Sequence, residues 1–312
     1  MPIRQTRYAR RIRTFFLRQT LYTPPRRERD IRVSKYIENI QQIASQYDHF
    51  ILDIFGVLHD GLRPFPHTVD TLKSLKNAGK QICLLSNSPR LAKGAADQME
   101  AMGIPRNLYD HIVTSGEATH YALKERPDSF HQGCGDQCWF IGNHIVAEVF
   151  DGLDIQLQDS PEYASFILNS IPGTAPPARE SFIRNLELAL KKNLPMICSN
   201  PDLVVHIGDD LYECAGSFAK IYEDMGGRVL YHGKPHTPVY RRCHDLLGNP
   251  DKSRICAIGD SLHTDIAGAN GFGIDSILNL AGIHREEITP EVLTHIDDHP
   301  HKPTYLINRF AW

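Results

Sequence analysis

Hydrophobic and polar positions alternate along most of the chain in blocks that fit short buried strands and amphipathic helices. Apolar runs such as FILDIF (50–55) and QICLLSN (81–87) have the length of strands that are buried on both faces. Helical patterns such as TVDTLKSLKNAG (68–79) follow them. Because regular alternation of strand and helix is typical of a parallel sheet covered by helices, we predict an α/β fold with a doubly wound parallel sheet.

The block pattern is interrupted in the middle of the chain and then resumes. A second αβ array contains the runs CWFIGN (138–143), ASFILNS (164–170) and MICSN (196–200), and the proline-rich stretch IPGTAPPARE (171–180) breaks it. We therefore predict a basic N-terminal extension at residues 1–35, a core formed by residues 36–116 and 205–312, and an inserted αβ domain at residues 117–204. This division assigns the helical pattern at 215–227 and the strand RVLYHG (228–233) to the core.

The first 29 residues differ in composition from the rest of the chain. They contain nine arginines and a single acidic residue, Glu28. Arginine enrichment without acids is typical of a transit peptide or of a basic docking arm. An extension that stays outside the folded core is the alternative interpretation.

The overall composition narrows the class of protein. The 312 residues are 41% hydrophobic and 23% charged, with a net charge of −3, so neither nucleic acid nor an acidic membrane surface is an expected partner. No apolar run approaches the roughly 18 residues that a membrane span requires. Seven scattered cysteines fit reduced thiols. We expect a cytoplasmic protein, or an organellar one if residues 1–29 act as a transit peptide.

Four polar side chains follow predicted strands at the point where each strand ends. They are Asp53, Ser86, Lys234 and Asp260. Open α/β sheets bind ligands at the carboxyl ends of their strands. Each residue alone fits an ordinary turn, but the set combines a carboxylate nucleophile, a hydroxyl donor, a cation and a second carboxylate able to share a metal. The set predicts an active site.

Several motifs around these residues occur in the order of a known family. DIFGVLHDG (53–61), LLSNSPR (84–90), HGKPHTPVY (232–240) and IGDSLHTDIAGANGFG (258–273) resemble the class IIA branch of the haloacid dehalogenase (HAD) superfamily. That branch contains phosphatases similar to nucleotide monophosphatases, nitrophenyl phosphatases and pyridoxal phosphatase. The resemblance extends from about Tyr36 to the C-terminus. It implies a HAD-like Rossmannoid core with an inserted αβ cap domain.

The resemblance also implies roles for individual residues. Asp53 would attack phosphorus and form an aspartyl-phosphate, and Mg²⁺ would be held by Asp53, Asp260 and the backbone carbonyl of Phe55. Ser86, the backbone amide of Asn87 and Lys234 would bind the phosphoryl group, while Asp265 would orient the lysine or the waters of the metal. Ser88 and Pro89 fit an N-cap and first helical position that would aim a helix N-terminus toward the anion.

Substrate recognition is expected in the inserted domain. We predict that Asn200 and Asp202 contact a small phosphorylated metabolite. A homodimer formed through the cap is a further expectation.

The departure from the family pattern is Phe55. Phosphatases of this type carry there an aspartate that protonates the leaving oxygen and then activates water, and a phenyl ring does neither. Such acid or base catalysis typically contributes about 10²- to 10⁴-fold. His59, in the flap after the nucleophile, is the candidate substitute acid because histidine titrates near neutral pH.

Three functions therefore stay open. The first is a slow or specialised Mg²⁺-dependent phosphohydrolase. The second is a non-catalytic binding or regulatory protein that keeps the phosphate site. The third is carbon-centred chemistry, because dehalogenases of the superfamily also have an aromatic residue at this position. The retained GDSLHTD motif (259–265) and the cap favour the phosphatase over the dehalogenase.

Overall fold

The computed structural model of the protein describes residues 33–170, 179–207, 210–285 and 288–312. The predicted basic extension up to residue 32, and most of the proline-rich stretch at 171–180, lie outside the described residues. Within the described part of the chain, no helix has both the length and the hydrophobicity needed to span a membrane.

The strands are short and occur throughout the described chain. In chain order they are β1 (Lys35–Ile37), β2 (His49–Asp53), β3 (Gln81–Ser86), β4 (His111–Thr114), β5 (Gln137–Ile141), β6 (Gln156–Gln158), β7 (Phe166–Asn169), β8 (Met196–Cys198), β9 (Val204–Ile207), β10 (Asp210–Glu213), β11 (Val229–Tyr231), β12 (Ile255–Gly259), β13 (Asp275–Asn279) and β14 (Tyr305–Ile307).

The helices connect these strands. They are α1 (Thr68–Asn77), α2 (Ala92–Ala101), α3 (Ser115–Glu125), α4 (Ser129–Gln132), α5 (Arg179–Lys191), α6 (Ala215–Asp224), α7 (Thr237–Leu246), α8 (Ala267–Phe272) and α9 (Pro290–Thr294). Single turns of 3₁₀ helix lie at Ile40–Gln42, Arg106–Leu108, Val146–Phe150, Lys252–Arg254 and Ile296–Asp298. A π-helix spans Leu262–Ile266.

The main sheet has seven strands in the order β1-β14-β13-β12-β2-β3-β4, and every neighbouring pair is parallel. Successive residues of β2 point to opposite faces. Phe50 and Leu52 pack in one hydrophobic core with residues of α1 and α2, whereas Ile51 packs in the other with residues of α7 and α8. The predicted doubly wound parallel sheet is confirmed.

A second sheet has five parallel strands in the order β11-β8-β7-β5-β6. One face is covered by α5 and α6, whose Phe182 and Phe218 rings meet edge to face at 4.8 Å. Leu123 of α3 and Phe150 cover the opposite face. Strands β9 and β10 form a separate antiparallel hairpin. This second αβ unit is an insertion between β4 and β12 of the main sheet.

The C-terminal limit of the inserted unit differs from the prediction. We predicted that the chain returns to the core at residue 205, but β11 pairs with β8, and α6 contributes Phe218 and Tyr222 to the core of the second sheet. The insertion therefore extends to about residue 231. The pattern at 215–233 did not reveal this limit, because an amphipathic helix followed by an apolar strand fits either sheet equally well.

Hydrogen bonds from the loop after β3 fix the inserted unit against the main sheet. Asn87, just past β3, donates from Nδ2 to the Asp202 carboxylate at 2.8 Å. The backbone amide of Leu91 donates to the Glu148 carboxylate at 2.9 Å. The loops that follow β3 are thus the contact surface between the two units.

Truncating Phe182 tests the assignment of residues 215–231. Phe182→Ala should cost about 3–5 kcal/mol, because the ring is fully buried in the core of the second sheet. Hydrogen exchange should rise in α6 and β11 together with β7 and β8, while β2 and β3 stay protected. Leu72→Ala, in α1, is the matched control and should loosen β2 and β3 instead. Protection of α6 and β11 in Phe182→Ala would contradict the assignment.

Candidate active site

The strand ends that carry polar residues lie side by side. Ile258 of β12 is level with Leu52 of β2, so Asp260 follows β12 one residue beyond the level of Asp53. Asp53 is level with Leu85 of β3, which places Ser86 one residue further. Parallel register thus brings three predicted site residues to one edge of the sheet.

Lys234 lies between two carboxylates. Its ammonium donates to Asp53 Oδ1 at 2.6 Å and to Asp265 Oδ1 at 2.7 Å, and all three side chains are buried. Burial alone would lower the pKa of Lys234, but Asp265 and Asp53 outweigh it and hold that pKa well above its ordinary value. The lysine therefore carries its charge, and the predicted pairing of Asp265 with Lys234 is present.

The site holds more negative than positive charge. Asp53, Asp260 and Asp265 each place one oxygen within 4.8 Å of the others, against one ammonium. An ion pair normally lowers the pKa of an aspartate, but burial, with the charges of Asp265 and Asp260, raises that of Asp53 well above its ordinary value. Burial and the two neighbouring carboxylates outweigh the short contact with Lys234, because one lysine cannot neutralise three carboxylates.

Asp260 fits a metal ligand. Its Oδ2 accepts from the backbone amide of His284 at 3.1 Å, while its buried Oδ1 has no hydrogen-bond partner among the described residues. Burial raises the pKa of Asp260 to about 6. A buried carboxylate oxygen without a donor is costly unless a cation binds it. The group of Asp53 and Asp260 thus suits a hard cation such as Mg²⁺, which prefers oxygen ligands.

Two glycines leave the space that Asp260 occupies. A Cβ on Gly56 would lie 2.2 Å from Asp260 Oδ2, and one on Gly282 would lie 2.2 Å from the same atom. Gly56 also has a φ of 104°, which residues with a side chain rarely adopt. The turn after Asp53 and the loop after β13 can approach Asp260 only because both positions lack a side chain.

The side chain of Asn87 binds the backbone of Lys234. Its Oδ1 accepts from the Lys234 backbone amide at 2.7 Å, and its Nδ2 donates to the Lys234 carbonyl at 3.1 Å. The motif analysis assigned a role only to the Asn87 backbone amide. Ser86 is buried beside it, and its hydroxyl accepts from the backbone amide of Ser88 at 3.1 Å.

The predicted substrate residues of the inserted domain lie near this point. Asp202 accepts a hydrogen bond from Asn87, and Asn200 Oδ1 accepts from the Asp202 backbone amide at 3.1 Å. Burial raises the pKa of Asp202. The structure therefore places Asp202 at the junction of the two units, where it orients Asn87.

The predicted helix start at Ser88 and Pro89 is wrong. Helix α2 begins at Ala92, with Leu91 as its N-cap. The amides of Leu91 and Ala92 donate to the carboxylates of Glu148 and Glu117. Because these acidic side chains satisfy the first amides, this helix N-terminus is not open to a phosphate.

Phe55 and His59 pack against each other in the turn just after Asp53. Their ring centroids are 5.2 Å apart at an interplanar angle of 81°. His59 is buried rather than exposed in a flap, and its Nδ1 accepts from the Gly61 amide at 3.0 Å. Burial lowers the pKa of His59 to about 4. A ring that is neutral near pH 7 and already bonded is poorly suited to the acid role predicted for His59.

Asn279 is a site residue that the motif analysis missed. It ends β13, is buried, and donates from Nδ2 to the Gly56 carbonyl at 3.0 Å. It therefore fixes the turn that carries Phe55. The signal was present, since Asn279 follows an apolar strand just as the other strand-end residues do.

Comparisons with known proteins agree with this geometry. A model of the haloacid dehalogenase-like hydrolases matches residues 50–156, and a HAD-hydrolase-like model matches residues 231–312. A haloacid dehalogenase-like hydrolase from Brucella suis 1330 is 31% identical, with a TM-score of 0.76 over 88% of this chain and 100% of that chain.

More distant relatives have named activities. The 5'-nucleotidase YutF of Bacillus subtilis (strain 168) is 22% identical over 264 residues, 84% of this chain and 95% of that enzyme. A glycerol phosphate phosphatase from Mycobacterium tuberculosis, solved in complex with magnesium, is 19% identical, with a TM-score of 0.65 over 85% of this chain and 75% of that chain.

In the parallel αβ core, Asp53 and Asp260 at strand ends meet Asp265 of the π-helix and Lys234 of the segment that returns from the inserted αβ unit. This arrangement defines a capped hydrolase of the HAD type. The chain belongs to the haloacid dehalogenase-like hydrolase family. Its relatives also confirm the predicted class IIA phosphatase branch.

Filling the space beside Asp260 tests its role as a metal ligand. Gly282→Ala should lower Mg²⁺ affinity roughly 10- to 100-fold, because the new methyl group must displace the carboxylate. Isothermal titration calorimetry measures the affinity. Gly271→Ala is the control, since a Cβ there meets nothing within 4 Å. Equal Mg²⁺ affinity in both variants would contradict the assignment.

Neutralising Asp260 should stabilise the protein in EDTA. A pKa raised to about 6 in the folded state lowers the free energy of unfolding as pH rises from about 4 through 6. At 1.36 kcal/mol per unit, Asp260→Asn should gain up to about 3 kcal/mol at pH 7. The gain should vanish near pH 4, and urea unfolding at both pH values measures it. A variant less stable than wild type at pH 7 would show that the charge is compensated.

Proposed function

We propose that the protein is a Mg²⁺-dependent hydrolase of phosphate monoesters that acts through an aspartyl-phosphate on Asp53 and favours substrates with good leaving groups. The observation that carries the proposal is the buried arrangement of Lys234 between Asp53 and Asp265, beside the unpartnered Oδ1 of Asp260. The substrate would be a small phosphorylated metabolite.

The first step uses the oxygen of Asp53 that does not bind Lys234. Asp53 Oδ1 accepts from Lys234, which leaves Oδ2 to attack phosphorus. As the new O–P bond forms, the ester O–P bond breaks and its electron pair leaves with the alcohol oxygen. Lys234 offsets charge on the nucleophile, and Ser86 donates to the phosphoryl group. A magnesium ion held by Asp53, Asp260 and the Phe55 carbonyl would offset the charge of the phosphoryl oxygens.

The second step releases phosphate. Water attacks phosphorus, the bond to Asp53 breaks, the Asp53 carboxylate is restored, and solvent takes up the proton that the attacking water loses. Neither Phe55 nor the neutral His59 ring supplies a proton to the leaving oxygen or removes one from water. Both steps should therefore depend on the intrinsic ease with which the leaving oxygen departs and water attacks.

The relatives support this reaction class. The named activities of the B. subtilis nucleotidase and the M. tuberculosis glycerol phosphate phosphatase are both releases of phosphate from a small ester, and the latter enzyme was crystallised with magnesium. The alternative, a binding protein without turnover, makes an opposite kinetic prediction.

Leaving-group dependence tests the proposal. Wild-type protein should hydrolyse 4-nitrophenyl phosphate far faster than an alkyl phosphate and should show a burst as aspartyl-phosphate accumulates. Phe55→Asp should raise turnover of alkyl phosphates by up to about 10²-fold, the low end of the acid-base range. Phosphate release with and without Mg²⁺ measures both.

Matched variants make the outcome decisive. Asp53→Asn should abolish turnover, and Phe55→Leu should stay at the wild-type level on alkyl phosphates, because it adds no acid. If wild type and Phe55→Asp are both inert yet bind orthophosphate at this site, the binding protein is the correct interpretation.

A further inference from the structure

Two buried histidines meet where the inserted unit rejoins the main sheet. His131 belongs to α4 of the insertion, and His232 directly follows β11. Their Nε2 atoms are 3.0 Å apart, the ring centroids are 5.2 Å apart, and the ring planes differ by 27°. The proposed reaction uses neither residue, yet His232 lies two positions before Lys234.

The second nitrogen of each ring also has a partner. His131 Nδ1 lies 2.8 Å from Asp128 Oδ2, and His232 Nδ1 lies 2.8 Å from Thr119 Oγ1. The Thr119 hydroxyl in turn donates to the Ser115 carbonyl at 2.8 Å. Four hydrogen bonds therefore form one chain, which begins at a half-exposed carboxylate and ends at a buried carbonyl.

Two neutral histidines at positions 131 and 232 do not have enough protons to complete this chain of hydrogen bonds. Both ends, the Asp128 carboxylate and the Ser115 carbonyl, only accept, so the four bonds require four protons. A neutral His131, a neutral His232 and the Thr119 hydroxyl supply three. One more proton satisfies every bond: Thr119 donates to Ser115, His232 Nδ1 donates to Thr119, and a doubly protonated His131 donates to both His232 and Asp128.

The hydrogen-bond partners place this proton on His131, because its Nδ1 faces the Asp128 carboxylate at 2.8 Å. Burial and then the neighbouring His131 lower the pKa of His232 to about 3, so His232 stays neutral. Burial acts to raise the pKa of Asp128, but amide and ring hydrogen bonds from His131 outweigh it and lower that pKa. Asp128 is therefore an anion beside the doubly protonated ring. The other charged or titratable groups near the pair are Arg126, which donates to the His131 carbonyl, Arg228, over the Phe130 ring, Cys134 and His236.

The segment from His232 to Lys234 is held at both ends. The His232 ring is fixed by the histidine chain and its amide donates to the Cys198 carbonyl, while Asn87 binds the amide and carbonyl of Lys234. Between them, a Cβ on Gly233 would lie 2.3 Å from Ser115 Oγ and 2.5 Å from Asn87 Oδ1. Close packing around Gly233 therefore links the position of the His232 ring to that of the Lys234 backbone, one residue further on.

We propose that His131 and His232 share one extra proton, and that this proton makes His232 a positioning residue for Lys234. The positioning role rests on the proposed phosphatase function, whereas the shared proton does not. When the proton is lost as pH rises, one hydrogen bond of the chain is lost with it, the His232–Lys234 segment loosens, and the rate of phosphoryl transfer falls.

Thr119→Val tests the proposal without altering a histidine. Without the hydroxyl, two bonds remain for the pair, from His131 to Asp128 and between the rings, and two neutral histidines satisfy both. The extra proton should bind more weakly by about the 1.5–3 kcal/mol of a hydrogen bond to a charged group, which is about 1–2 pH units. The basic limb of kcat/KM for 4-nitrophenyl phosphate should move to lower pH by that amount. Thr119→Ser should restore the wild-type profile.

Ring ¹⁵N NMR reads the proton directly and does not need turnover. In wild type, His131 should show both nitrogens protonated at neutral pH and His232 only Nδ1, and the two rings should titrate together. In Thr119→Val the transition should shift by the same 1–2 units. His120→Gln is the matched control, because His120 is the next residue on α3 but bonds to the Val149 carbonyl, outside the chain. Its pH profile should equal that of wild type.

The possible results separate the two claims. If both rings stay neutral from pH 5 to 9, the shared proton is refuted. If the rings titrate as expected but the kinetic profiles of wild type and Thr119→Val coincide, the positioning role is refuted. If no variant turns over substrate, the proposed function fails, and the pH dependence of orthophosphate binding then takes the place of kcat/KM, with the same shift expected.

Discussion

The ammonium of Lys234, held between the carboxylates of Asp53 and Asp265, is the interaction on which the rest of the structure depends. Its three groups come from three separate places: the end of β2, the π-helix after β12, and the segment that returns from the inserted unit. A buried charge pair is stable only when its geometry and hydrogen bonds are complete. The path of the chain through both units is therefore constrained by one cation.

The buried site around Lys234 carries an excess of negative charge. With Asp260 beside the pair, three buried carboxylates face one ammonium, and burial raises the pKa of both Asp53 and Asp260. This arrangement lowers stability in the absence of a cation. Glycines at 56 and 282 allow the backbone to approach the Asp260 carboxylate closely, and among the described residues its buried Oδ1 has no hydrogen-bond partner.

The sequence predicts those features of the structure that depend on residues close together in the chain. Asp53, Ser86 and Asp260 could be found because each follows an apolar run, and parallel register then brings such positions together. The end of the insertion could not be found from the sequence, because the hydrophobic pattern of strand β11 is the same whichever sheet the strand joins. Side-chain partners distant in sequence, such as Asn87 with Lys234 or Glu148 with the start of α2, leave no periodic signal. The burial of His59 likewise depends on packing against Phe55.

Phe55 offers no acidic group, yet the charged arrangement of Asp53, Lys234, Asp260 and Asp265 is intact, and this combination bears on the proposed turnover of substrate. A site that only binds phosphate needs donors and positive charge, which Ser86, Asn87 and Lys234 supply. A buried Asp53 carboxylate at the same place repels an anionic ligand, and Asp260 adds to that repulsion. Both carboxylates become favourable only if one attacks phosphorus and both share a cation. The cost of keeping two carboxylates beside a phosphate therefore supports the proposed reaction over binding alone.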